Sequence, residues 1–254
     1  MTIQEIVKNK DTLIAQKKAT IKHADGILFS GNPIIQVSKA TNSKDGLQVK
    51  AVINTTNLLD SHSDVHIKGL WKKSINENKN IMHLQEHQLA FDKIIADGKD
   101  IQATVKEYKW KELGYNFEGT TEALIFDSNI KSSRNAFMFK QYQDGNVKNH
   151  SVGMQYVKLA LAVNDKDYPE EHQVWEKYID QIANKQDAID QGYFWAVTEA
   201  KIIEGSAVPI GSNFATPTLE VSEPLKSTQK HIEPDTSTQK KSILINILKT
   251  HYGI

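Results

Sequence analysis

The chain has no cysteine, which excludes disulfides, thiol nucleophiles and cysteine-ligated zinc together and leaves the redox compartment open. It has a single arginine, Arg134, and a formal net charge of zero. Duplex binders present basic stripes rich in arginine forks, so no specific nucleic-acid partner is expected. Long apolar runs are also missing. The longest, around Ile243 to Leu248, is too short to cross a bilayer, so no membrane partner is expected. The opening residues MTIQEIVKNK carry charge and lack an apolar core segment, so no secretory signal is expected. What is present is ordinary: 254 residues, 39% of them hydrophobic and 24% charged. That is enough for one substantial domain with appendages.

Residues 2–22 read as a helix, with Ile3, Ile6, Val7, Leu13, Ile14 and Ile21 at three- and four-residue spacing. Asp25-Gly26 marks a turn, and from Ile27 the period becomes two. Strand signals follow at Ile34–Val37, Leu47–Val52, Ile81–His87, Ile94–Ala96, Ile101–Val105 and Ala123–Phe126, separated by turn formers. Gly69–Ile75 reads as a short helix. Ser128-Asn129 is expected to cap a helix over about 130–142, closed by Asp144-Gly145. The longest strand signal runs from Val147 to Val163. Pro169, with Glu170 and Glu171, opens the clearest helix, over 169–190. A last strand pair covers about 193–210.

This gives an N-terminal helical segment (1–26), a core domain (27–217) carrying the 169–190 helix as an insertion, and a tail (218–254). The tail reads as a Ser/Thr/Lys/Pro-rich linker with a small terminal helix, either a frayed end or a docking element. Many short strands without a βαβ rhythm point to a mainly β or α+β domain, a barrel with helices around it.

Three segments carry candidate chemistry. In Ile81-Met82-His83-Leu84-Gln85-Glu86-His87, a strand would put His83, Gln85 and His87 on one face, and histidine is the side chain suited to proton transfer near neutral pH. In Asn149-His150-Ser151-Val152-Gly153-Met154, a strand would point Ser151 and Gly153 one way and His150 the other. Gly153 would leave the approach to Ser151 open. The flanks do not match the G-x-S-x-G elbow of α/β-hydrolases. In Ile203-Glu204-Gly205-Ser206-Ala207-Val208-Pro209, Glu204 is a carboxylate in an apolar strand, costly unless paired, and orienting a histidine is one way to pair it.

The order of these segments, with Asp64-Val65, Lys68-Gly69-Leu70 and Ser74-Ile75 ahead of them, resembles the tailed-phage prohead (head-maturation) serine proteases. Leu84-Gln85-Glu86-His87 is similar to that family's histidine strand, with one residue displaced. Lys148 to Met154 is similar to its serine strand. Glu204 to Pro209, with Asn213 and Ala215, resembles its closing element. The resemblance spans about residues 45–217.

It implies a herpesvirus-protease-like β-barrel surrounded by helices and a serine endopeptidase that cleaves scaffold or capsid-protein extensions, and itself, inside the immature capsid. The partners would be the major capsid protein and scaffold, with room for a homodimer, in the host cytoplasm within the prohead. Ser151 is the implied nucleophile, His87 its general base and Glu204 the orienting third member, where the herpesvirus relatives use a second histidine. No cofactor or metal is implied.

Two other readings compete. His83-Leu84-Gln85-Glu86-His87 is a literal H-x-x-E-H, the inverted zinc-peptidase motif, which needs a helix to bring His83 and His87 to one metal. His62 and His66 would be further ligands, although Asp60 to Asp64 reads as a polar loop. The third reading is a catalytically inactive capsid scaffold or structural protein.

Overall fold

The computed structural model describes residues 1–22, 46–78 and 80–223. In chain order these form α1 (Ile3–Lys8), α2 (Lys10–Ala19), β1 (Ile21–Lys22), β2 (Gly46–Thr55), β3 (Asp64–His66), α3 (Lys72–Glu77), β4 (Met82–Gln85) and β5 (Ile94–Asp97). There follow β6 (Ile101–Lys109), β7 (Thr120–Lys131), α4 (Ala136–Gln143), β8 (Asn149–Val163), α5 (Pro169–Tyr178), α6 (Lys185–Gln191), β9 (Tyr193–Val208) and β10 (Thr218–Ser222). The class is mixed α+β.

One sheet has the order β1-β8-β9-β4-β5, with β3 also pairing β9; the other has the order β10-β2-β7-β6. Among the described residues the sheets are not closed into a barrel, contrary to that part of the sequence expectation. Instead they sandwich one core. Leu47, Val49, Ala51, Ile53, Leu124 and Phe126 from the second sheet pack against Val152, Met154, Tyr156, Val197, Ile202 and Ala207 from the first. The edge strand β6 alternates half-buried Ile101, Ala103 and Val105 with exposed Gln102, Thr104 and Lys106. Its outer row of polar groups discourages pairing with another chain.

Several boundaries differ from the sequence reading. The N-terminal helix is two helices, the first opened by a Thr2–Glu5 capping box, and residues 21–22 leave the helix to pair with β8. The expected helix over 130–142 begins only at Ala136, capped by Asn135. Ser128 and Asn129 belong instead to a twelve-residue strand paired with β2 and β6. The 169–190 helix is two helices with a single 3-10 turn after the first, and the expected strand pair at 193–210 is one strand, β9. The tail boundary at 217 moves, because Thr218 to Ser222 pairs with β2. The Asp25-Gly26 turn, the Ile34–Val37 strand and the terminal helix near Ile243 lie outside the described residues.

The N-terminal helices pack on the far end of β8 and β9. Ile6 is buried with Leu161, Val163 and Trp195. Lys10 pairs with Glu171 at 2.6 Å. Lys17 reaches the buried Asp64 at 2.7 Å and lies over the rings of Tyr156 and Trp195, 5.1 and 5.5 Å from their centroids. These residues are therefore part of the folded unit rather than a separate appendage.

Candidate active site

The central strand β9 organises both faces of its sheet. It pairs antiparallel with β8, placing Ser151 opposite Ser206, Val152 opposite Gly205 and Gly153 opposite Glu204. On its other edge it pairs parallel with β4, placing His83 opposite Gly205 and Leu84 opposite Ser206. Cross-strand partners share a face and neighbours along a strand alternate. Ser151, Gly153, Glu204 and Ser206 therefore lie on the outer face, while His83, His150, Val152 and Gly205 lie on the face toward the core.

On the outer face, His87 Nδ1 and Glu204 Oε1 are 2.6 Å apart. A carboxylate can only accept, so this bond puts the imidazole proton on Nδ1 and leaves Nε2 as the basic nitrogen. Ser206 Oγ donates to Glu204 Oε2 at 2.6 Å and accepts from the His87 backbone N–H at 3.0 Å. Glu204 and Ser206 are fully buried, and Ser151 is 4% exposed.

A Cβ built on Gly153 would overlap the Glu204 carboxylate, lying 2.7 Å from its Cδ. Gly153 thus does more than leave space near Ser151: it is the seat of the carboxylate that holds His87. Ser151 is two residues from that seat on the same face, about 7 Å along the strand. An imidazole with a hydrogen bond on either side spans a comparable distance.

His87 reaches Glu204 because β4 stops at Gln85. Gln88 N–H donates to Gln85 O at 3.0 Å, and the two residues inside this turn, Glu86 and His87, both have positive φ (53° and 58°). That is the backbone of a type I′ turn, which favours Asn-Gly. Two side-chain-bearing residues in the left-handed region cost about 1–2 kcal/mol each, and such strain gathers at functional sites. Glu86 N–H donates to Ala207 O, and the His87 N–H bond to Ser206 completes the anchorage.

The sequence expectation that His83, Gln85 and His87 share a face is therefore corrected. His83 points into the core, where Nδ1 is 3.0 Å from Ser128 Oγ and Nε2 is 3.0 Å from the Tyr142 hydroxyl. The same hydroxyl is 3.0 Å from His150 Nε2, and His150 Nδ1 is 3.0 Å from Thr216 O. A carbonyl only accepts, which fixes the direction of the whole chain: Ser128 donates to His83, His83 to Tyr142, Tyr142 to His150 and His150 to Thr216. Burial, helped by His150, pushes His83 down to about 3. Burial likewise lowers His150 to about 4, against the opposing bond to Thr216. Both are neutral structural histidines, and the H-x-x-E-H geometry does not form: His83 and His87 lie on a strand and a turn, on opposite faces of the sheet.

Asp60, Asp64 and His66 form a further buried group, with one potential ligand atom from each lying within 4.8 Å of the others. The stretch from Asp60 to Asp64 is thus no simple polar loop. Asp60 Oδ1 accepts from the backbone N–H groups of His62 and Asp64. Asp64 also binds the Tyr156 hydroxyl, which burial and the two carboxylates hold far above its usual ionisation range. The Lys17 ammonium supplies the compensating positive charge. His66 Nδ1 is held by the Asn54 amide, so this cluster reads as a charge-compensated core and not as an extension of the outer-face site.

Set against protein families, curated proteins and solved structures, the chain matches none of them. The residues themselves have to carry the functional argument. Sequence reasoning singled out Ser151, His87 and Glu204 but passed over Ser206, although its position two residues from Glu204 in a strand puts the two side chains on one face.

Proposed function

We propose that this chain is a serine endopeptidase of phage capsid maturation, with Ser151 as nucleophile, His87 as general base and Glu204 as the residue that orients it. The observation that carries this reading is the 2.6 Å bond between His87 Nδ1 and the buried Glu204 carboxylate, one strand away from Ser151. A histidine held by a buried acid, with a serine on the adjacent strand of the same sheet face, is the set of groups that general-base activation of a hydroxyl uses.

In the proposed reaction His87 Nε2 removes the Ser151 hydroxyl proton as Oγ attacks the scissile carbonyl. It then delivers that proton to the leaving amine, and an acyl-enzyme on Ser151 results. Water, deprotonated by the same nitrogen, hydrolyses the ester and restores the serine. Glu204 stays ionised throughout and offsets the charge of the imidazolium.

The partners in this reading are the major capsid protein and scaffold, within the immature capsid in the host cytoplasm. They rest on the order of the sequence motifs, as does the finer assignment of the α+β domain to a herpesvirus-protease-like fold. The test is intact-mass analysis of the wild-type chain, Ser151→Ala and His87→Ala, each co-expressed with its capsid protein and each exposed to a fluorophosphonate. Processing and a single covalent adduct in the wild type, both lost in the two variants, are expected. Processing that persists in Ser151→Ala would sink the proposal. A folded wild-type chain that neither processes nor labels would favour the inactive structural protein.

A further inference from the structure

Ser206 lies in the segment that resembles the family's closing element, and in the structure it closes a ring around His87 and Glu204. His87 donates from Nδ1 to Glu204 Oε1, Glu204 accepts through Oε2 from the Ser206 hydroxyl, and Ser206 accepts from the backbone N–H of His87 itself. Donor and acceptor roles leave no freedom. A backbone N–H only donates, so it must use an oxygen lone pair of Ser206, and the single hydroxyl proton then goes to the carboxylate.

Two consequences follow. Ser206, though it lies directly opposite Ser151, has its proton committed to Glu204 and is fully buried, so it is not a competing nucleophile. Its hydroxyl also grips both halves of the base assembly. One bond sets the rotamer of Glu204, and the other holds the strained left-handed backbone of His87 in register with β9.

We infer that Ser206 is a positioning residue of the proposed serine-protease site, locking His87 and Glu204 into a preorganised pair through its two hydrogen bonds. The inference rests on the serine-protease reading, with Ser151 as the reacting atom's source. Charge-assisted hydrogen bonds to a buried carboxylate are among the stronger ones, and misplacing a base by about 1 Å costs on the order of 100-fold in rate.

The test uses the full chain and a fluorophosphonate, with covalent labelling of Ser151 followed by intact mass from pH 5 to pH 9. The wild type, Ser206→Ala, Ser206→Thr and Ser206→Cys are compared, with unfolding temperatures measured in parallel. Ser206→Ala is expected to label about 10- to 100-fold more slowly. Its acidic limb should move to higher pH, because a carboxylate that has lost a donor concentrates its charge on the imidazolium. Ser206→Thr, which keeps the hydroxyl, should recover most of the rate and the wild-type limb. If Ser206→Ala does not fold, Ser206→Cys, with its weak S–H donor, carries the comparison and should label more slowly than the wild type and Ser206→Thr, with its acidic limb moved in the same direction.

Labelling at the wild-type rate with an unmoved limb, in whichever of Ser206→Ala and Ser206→Cys folds, overturns the inference and leaves the protease reading intact. So does a slow variant whose limb stays in place and which threonine does not rescue, since that is a packing effect alone. A folded wild type that takes no label overturns both together.

Discussion

The two faces of the sheet at β9 use the same vocabulary to opposite ends. On the core face, two histidines, a tyrosine and a serine form an open chain that ends on a backbone carbonyl, and burial keeps both imidazoles neutral. On the outer face, one histidine, a serine and a glutamate form a closed ring with a carboxylate in it. The difference is the acid. A neutral chain satisfies every donor and contributes stability. An imidazole held by a buried carboxylate is prepared to carry a positive charge, which is what a general base must do for part of its cycle. The residue type histidine does not separate the two roles; the partner of Nδ1 does.

Two neighbouring glycines give the sharpest way to break this comparison. Gly153 seats the Glu204 carboxylate, whereas a Cβ on Gly205 would meet Phe126 and would lie 2.9 Å from Ile53 Cγ2. Gly153→Ala is expected to lower Ser151 labelling by about 100-fold or more, through displacement of Glu204 and with it His87. Gly205→Ala should instead lower stability by about 1–3 kcal/mol through overpacking, with labelling of the folded fraction little changed. Labelling rates set beside chemical denaturation separate the two. Equal effects of both substitutions on labelling would erase the distinction between the faces.

Acidification probes the core face next. His83 and His150 are neutral in the folded protein, with ionisation lowered to about 3 and about 4 from an ordinary 6.5. The unfolded chain therefore binds more protons below pH 6.5, so stability is complete above that value and declines as the pH falls toward the folded-state values. The two together should cost about 3–4 kcal/mol between pH 7 and pH 5, read as a falling midpoint in urea. A flat profile over that range would mean the pair is not held neutral.

The smallest effect expected is at the turn. Glu86 and His87 are both left-handed, so Glu86→Gly should relieve strain and raise stability by about 1 kcal/mol. It should leave labelling of Ser151 within about twofold, the backbone of His87 being fixed independently by Ser206. A large loss of labelling would show that the strain itself contributes to the geometry of the site.

Much of this site was legible in the sequence as residue types in order, because strand alternation places Ser151 with Gly153 and sets Glu204 against Gly205. Its geometry was less so. The turn at Gln85–Gln88 carries no glycine or asparagine, so the segment reads as strand through His87, and His83 is drawn onto the wrong face. Ser128 and Asn129 look like a helix cap because polar residues favour caps. Here Ser128 is used by His83 inside the core, and Asn135 caps α4 instead. The parallel pairing of β4 with β9 joins segments that no local pattern relates, and with it went the role of Ser206.

The place of β9 in the chain has a consequence for timing. In its sheet β1, β3, β4, β5 and β8 all precede it, yet β3, β4 and β8 each pair with it. His87 and Glu204 are separated by 117 residues and meet only across that strand. Contacts so distant in sequence carry a large loop-closure entropy and form slowly. A nascent chain that already contains His87 and Ser151 therefore lacks the carboxylate that pairs them until β9 is made and inserted between its neighbours. Hydrolytic competence in the proposed enzyme is thus a late event of folding, coincident with completion of the sheet.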